Sequence, residues 1–348
     1  MPTPFGTLPG GQPAHLYTLE NGLGMRACIS DYGGTLTQLW VPDAEGRLGN
    51  VVLGFGSVEG YTSAAFRAAH PYIGALIGRY GNRIAHGRFS LDGKAFALPT
   101  NNNGHTLHGG PEGFDQRLWQ AEPQDGPEGS QLVLRLQSPE GDQGFPGRLD
   151  VTVTYTLLAN ENTLRIDYQA KTDAPTVINL THHAYFNLAL GQADDVLGHR
   201  LQLQADRYTE VDATLIPTGR LLPVAGTAFD FRQPKAIGAD LARVPGGYDH
   251  NLVLHAEPGT PAAVLSEAGT GRVLRIYTDK PGLQLYSGNF LDASLEGLGG
   301  IAYVRHAGLC LETQHFPDAP NHPAWPTTAL RPGERYTTAT TWAFGLMG

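Results

Sequence analysis

The chain has 348 residues, with 24 Lys+Arg against 33 Asp+Glu and a net charge of −9. No basic run offers a footprint for a phosphate backbone, which argues against nucleic acid as a partner. Its 45 glycines and 25 prolines make up about one fifth of the residues, below the ~25–30% that marks low complexity, so a folded, turn-rich protein is expected.

The N-terminal residues from Met1 to Pro9 lack the basic flank and apolar stretch of a signal peptide, and no apolar window approaches the ~20 residues of a membrane span. A cytoplasmic protein without a membrane partner is expected. Two cysteines, Cys28 and Cys310, are too few for a disulfide framework and read as reduced, buried thiols.

Short strands are predicted at 25–29, 35–41, 51–55, 132–137, 151–157, 163–170, 176–180, 200–204, 252–255, 273–277, 283–287, 309–312 and 336–344. The run from Val151 to Leu157 alternates with period two, as a half-buried antiparallel strand does. Helical patterning is confined to 63–69 and 235–241. The stretch from Ala121 to Gln131, with Pro123, Asp125, Gly126, Pro127 and Gly129, reads as a surface loop. Strands parted by Gly, Pro, Asn and Asp clusters predict an all-β sandwich or barrel. With no linker, charge block or repeat, one domain spanning 1–348 is expected.

Glu312 closes the apolar run Leu309-Cys310-Leu311, where a carboxylate at the end of a buried strand is placed to act as a base. Strand parity puts Cys310 and Glu312 on one face and Leu309 and Leu311 on the other. In Asn179-Leu180-Thr181-His182-His183-Ala184-Tyr185-Phe186-Asn187, the same parity groups His183, Tyr185 and Asn187 as an imidazole, a phenol and an amide that suit a polar ligand. It leaves His182, Ala184 and Phe186 to packing. Asn82 and Arg83 put an amide beside a guanidinium fork suited to vicinal hydroxyls or a carboxylate. His108 stands among glycines that permit close backbone approach. Asp249 ends a Gly-Gly-Tyr loop, and Gln284 shares a strand face with Tyr286.

Thirteen histidines include no His-Glu-x-x-His motif, and the chain has no Cys-x-x-Cys and no acidic calcium loop, so no metal site is expected. The glycines from Gly54 to Gly60 miss the dinucleotide spacing, and no P-loop or nucleophile elbow occurs.

Taken in order, these segments resemble the aldose 1-epimerase (galactose mutarotase) family: Asp31 to Leu36, Val51 to Phe55 with Glu59-Gly60-Tyr61, and Gly78 to Ile84. The likeness continues through Thr106 to Gly110, Asn179 to Asn187, Tyr248 to Asn251, Gln284 to Phe290 and Glu312 to Pro320. It extends nearly end to end and implies a large antiparallel β-supersandwich with few short helices. It implies an isomerase that interconverts the α and β anomers of free aldohexoses such as galactose and glucose, without cofactor or metal, as a monomer or homodimer. Glu312 would be the general base, ionised near neutral pH, and His183 the protonated general acid. Asn82, Arg83, His108, Asp249 and Gln284 would bind sugar hydroxyls, with Tyr185 near the site.

Two departures, His182 where the family more often has Asn and Thr313 where Pro is common, bear on sugar preference. A phosphosugar 1-epimerase would need further Lys/Arg converging on a phosphate. A non-catalytic carbohydrate-binding protein would lack the acid or the base. A glycoside hydrolase would need two flanking carboxylates, for which Asp249 and Glu312 could be proposed.

Overall fold

A computed structural model describes residues Met1–Gly348. Three antiparallel sheets carry the architecture. Nine strands form the largest, in the order Gln120–Gly126, Gly129–Ser138, Leu149–Leu158, Thr163–Thr172, Tyr336–Leu346, Arg272–Thr278, Ala263–Ser266, Arg200–Leu203, Lys235–Ala236. Six form the second, in the order Tyr185–Phe186, Leu309–Gln314, Gly282–Tyr286, Asp249–Leu254, Ala205–Val211, Pro217–Pro223. The third joins five strands from Thr3–Thr7 to Leu48–Asn50 in chain order.

Period-two patterning puts Leu149, Val151, Val153 and Tyr155 inward and leaves Asp150, Thr152 and Thr154 on the other face. The inward faces of all three sheets share one cluster of 52 buried apolar residues, from Tyr17 to Phe344. This is the all-β sandwich expected from the strand pattern.

The α-helices Val58–Thr62 and Ala64–Ala69 are short. The second starts where the Ser63 hydroxyl accepts from the Phe66 N–H at 3.1 Å, and it ends at His70, whose φ of 41° is left-handed. Six residues are too few for an autonomous helix. Phe66 anchors it against Phe55 and Tyr61, with ring centroids 5.7 and 5.6 Å away.

Several elements differ from the sequence reading. No strand forms over 51–55; Val52 makes only an isolated bridge to Phe186. The 176–180 strand is confined to Thr176–Val177. The expected 235–241 helix is a two-residue strand followed by a 3-10 helix, Ile237–Arg243. The supposed loop 121–131 is a hairpin with its turn at Pro127 and Glu128. Its first strand is the edge of the nine-stranded sheet, where Pro123, lacking an N–H, is tolerated.

Candidate active site

Glu312 lies in the second strand of the six-stranded sheet, and that strand continues to Gln314. Glu312 is therefore two residues inside the strand rather than at its end, and it is buried. Register aligns Glu312 with Gln284 and Gln284 with Asn251, while Cys310 pairs with Tyr185 on one side and Tyr286 on the other. Parity then divides the strand between two cores. Leu309 and Leu311 join the large cluster, whereas Cys310 joins a second cluster of 15 residues with Tyr185 and Tyr286.

The His182–His183 segment is not one regular strand. Thr181–His182 pairs with Leu76–Ile77, and Tyr185–Phe186 pairs with Leu309–Cys310. His183 and Tyr185 still meet, with ring centroids 5.1 Å apart. Asn187 leaves the expected grouping, because its amide donates to the Ala307 carbonyl at 2.9 Å. His182 turns into the core, edge-on to Trp342 at 4.9 Å and Tyr155 at 5.9 Å. Thr313 also faces away from the cavity, its hydroxyl 2.6 Å from that of Thr340. Neither residue lines the cavity that holds Glu312 and His183.

Arg83–Ile84 and Thr106–Leu107 form a two-strand ladder with Asn82 and His108 facing each other at the two corners of one end. Both corners are left-handed, with φ of 65° and 52°. The Asn82 N–H donates to His108 Nδ1, and the His108 N–H donates to the Asn82 carbonyl, each at 3.1 Å. Gly109 has to be glycine, since a Cβ there would lie 2.1 Å from the Gly78 carbonyl oxygen.

All eight residues singled out in the sequence line one cavity of about 440 Å³. His183 Nε2 lies 3.6 Å from Glu312 Oε1, and His183 Nδ1 lies 3.5 Å from the Cys310 thiol. Glu312 Oε2 has no protein partner. Asp249 accepts from the Gln284 amide at 2.6 Å and faces the Arg83 guanidinium at 3.6 Å. Tyr185 sits at the cavity wall with its hydroxyl committed to the Pro71 carbonyl at 2.8 Å. Phe290, 73% exposed, stands at the rim.

Burial raises the Glu312 carboxyl well above the usual range, Asp249 adds to the effect, and Arg83 opposes it. Burial also lowers His183 to about 4. Both shifts run against the expected ionised Glu312 and protonated His183. Burial favours the uncharged form of each group.

Sequence reasoning passed over several contributors. Asn102 accepts from Arg83 Nε at 3.2 Å. Gln314 donates to Asn251 at 3.1 Å and Gln284 at 3.3 Å. It extends the Cys310 and Glu312 face by one more parity step, a signal that was present in the sequence. Tyr72 stacks on His70 at 4.0 Å and meets His108 edge-on at 4.6 Å. Only the tertiary fold brings it there.

The structure also gathers His108, His183 and Glu312 so that their ligand atoms lie within 4.8 Å of one another. This donor set suits a metal ion poorly. His108 stays neutral because burial holds it well below the usual imidazole range, and its Nδ1 lone pair is taken by the Asn82 N–H. Its Nε2 therefore carries the hydrogen and faces the cavity as a donor.

An antiparallel β-sandwich whose polar cavity joins a buried acid–base pair to a ring of amide, guanidinium and imidazole groups has the form of a mutarotase-like carbohydrate protein. An aldose epimerase homologue from C. elegans superimposes with a TM-score of 0.86 at 32% identity, over 96% of this chain and 100% of that one. A galactose 1-epimerase from Lactobacillus acidophilus gives 0.86 at 29% identity, over 100% and 99%. The chain belongs to the aldose 1-epimerase family, whose family model matches residues 15–342. Rat galactose mutarotase is 45% identical over 98% of this chain and 96% of its own. The aldose 1-epimerase of Escherichia coli is 42% identical over 97% and 96%.

Proposed function

We propose that the cavity interconverts the α and β anomers of free aldohexoses such as galactose and glucose, making the protein an isomerase of the mutarotase type. The observation that carries this reading is the buried Glu312–His183 pair, 3.6 Å apart and ringed by hydroxyl-binding groups. The names of the full-length relatives support the same activity.

Ring opening takes the proton from the C1 hydroxyl and gives one to the ring oxygen as the C1–O5 bond breaks. Glu312 is the base and His183 the acid, each worth roughly 10² to 10⁴ in rate. A proton passed from Glu312 to His183 readies the pair, and opening returns Glu312 protonated and His183 neutral, the uncharged forms that burial favours. Rotation about C1–C2 then presents the other carbonyl face. Closure runs the two transfers backwards, so the pair carries one proton throughout and needs no cofactor. Asp249, held by Gln284 and Arg83, accepts sugar hydroxyls, while Asn82, Arg83 and His108 donate to them.

Arg83 is the one Lys or Arg in the cavity lining and is engaged by Asp249 and Asn102. A phosphosugar substrate is therefore disfavoured. The reading extends to a cytoplasmic monomer or homodimer of one domain, without nucleic-acid or membrane partner; no helix is long and apolar enough to cross a membrane.

Polarimetry of freshly dissolved α-D-galactose tests it. The protein should speed the approach to equilibrium rotation, and Glu312→Gln should bind sugar but lose roughly 10² or more in kcat. Near-normal kcat in that variant would refute the assignment of the base.

A further inference from the structure

Behind the strand that carries Glu312 lies a cation that the chemistry above does not use. Lys280 is buried and forms no salt bridge; its ammonium rests on the Tyr168 ring, 4.1 Å from the centroid. Burying an unpaired ammonium is costly unless its hydrogens are satisfied. Here Nζ donates to the Leu180 carbonyl at 2.6 Å and to the Thr313 carbonyl at 3.4 Å. The Thr181 hydroxyl donates to the same Thr313 carbonyl at 2.7 Å.

These contacts fall where backbone pairing stops. The ladder between Tyr185–Phe186 and Leu309–Cys310 is two residues long, and Thr181–His182 pairs with Leu76–Ile77 instead. Between these short ladders the backbone parts, and there the two catalytic side chains project. Thr313 directly follows Glu312, and Leu180 precedes His183 by three residues. Lys280 and Thr181 tie the separated segments together from the side opposite the cavity, and one step further along the Asn179 amide accepts from the His315 N–H at 2.9 Å.

We propose that Lys280 is a positioning residue for the Glu312–His183 pair, fixing the spacing of the two segments through the Thr313 and Leu180 carbonyls. The inference rests on the acid–base reading given above. Proton transfer depends on the pair's spacing, whereas sugar binding relies on Arg83, Asp249 and Gln284, which Lys280 does not touch. A displacement of about 1 Å can cost about 10²-fold in rate.

The test compares Lys280→Met, which keeps the apolar stem, with Lys280→Gln, which keeps amide donors. Lys280→Met should lower kcat by about 10- to 100-fold with KM changed less than about twofold, and Lys280→Gln should recover most of the loss. Should Lys280→Met fail to fold, Thr181→Val removes the second tie and is expected to give the same split. The proposal is overturned if the folded variants keep kcat within about twofold of wild type, or if KM rises as kcat falls. It is also overturned if Gln and Met are equally impaired. Glu312→Gln run alongside separates the outcomes. If it is inactive while the Lys280 and Thr181 variants are normal, only the positioning role fails; if it is active, the acid–base reading itself fails.

Discussion

Acidification is the perturbation whose size the structure specifies best. Burial is the leading cause that lowers His182 to about 3, and His183, His199 and His315 to about 4, from an ordinary 6.5. Below 6.5 the unfolded chain takes up protons that these rings refuse until about pH 4. Their contribution is therefore intact above 6.5 and lost progressively through that interval. At pH 5 each ring has forfeited about 2 kcal/mol, and four together about 8 kcal/mol, comparable with the ~5–15 kcal/mol that holds a typical protein folded. Glu312, whose carboxyl is raised, has the opposite sign and goes on gaining until the unfolded carboxyl is also protonated near its ordinary value, so it offsets part of this loss. The protein is expected to unfold cooperatively near pH 5 with net uptake of several protons, His108 adding to the four rings and Glu312 subtracting. Circular dichroism with Trp fluorescence across pH 7 to 3 measures this directly. His182→Phe should shift the midpoint down by about 0.4 pH unit, since about 2 kcal/mol is removed from a slope of ~5 kcal/mol per unit. Both ring nitrogens of His182 lack partners, so the replacement strands nothing. A protein that keeps its native spectrum at pH 4 would refute the reasoning.

Because the catalytic pair works with one proton between its members, kcat/KM should follow a bell in pH. His183→Asn should reduce it to a single limb that rises as Glu312 ionises; a bell retained in that variant would count against the pair. His108→Phe leaves the Asn82 N–H without its acceptor and removes a donor from the cavity. It should raise KM about tenfold and cost about 1–3 kcal/mol of stability, read from denaturant titration. Arg83→Met strands Asp249 beside Glu312; a loss of about 3–5 kcal/mol in stability is expected, together with weaker sugar binding by calorimetry.

The strands were legible wherever one face is buried and the other wet, as over Leu149–Leu158, because alternation records burial. The 51–55 segment misled because all five residues are buried without a ladder, so hydrophobicity there reports depth rather than pairing. The hairpin at 120–138 was hidden by Pro123 and its polar neighbours, which an edge strand accepts. At the site, parity correctly separated His183 from His182 and Glu312 from the leucines beside it. It failed for Asn187, since the strand Tyr185–Phe186 ends one residue before it. The states of Glu312 and His183 were illegible because they depend on burial, a property of the whole fold. His70, Tyr72 and Lys280 likewise carry no local pattern that distinguishes them from ordinary residues of their type.

The strand Leu309–Gln314 is the partition between two hydrophobic clusters, and it is buried along its whole length. An element in that position has no low-energy local opening available to it: exposing its amides means dissolving the packing on both sides. Its amide hydrogens should therefore exchange only through global unfolding, and turnover should survive denaturant until the molecule as a whole gives way. Function and folding are then lost in one transition, so a catalytic assay of this protein doubles as a measure of the folded fraction.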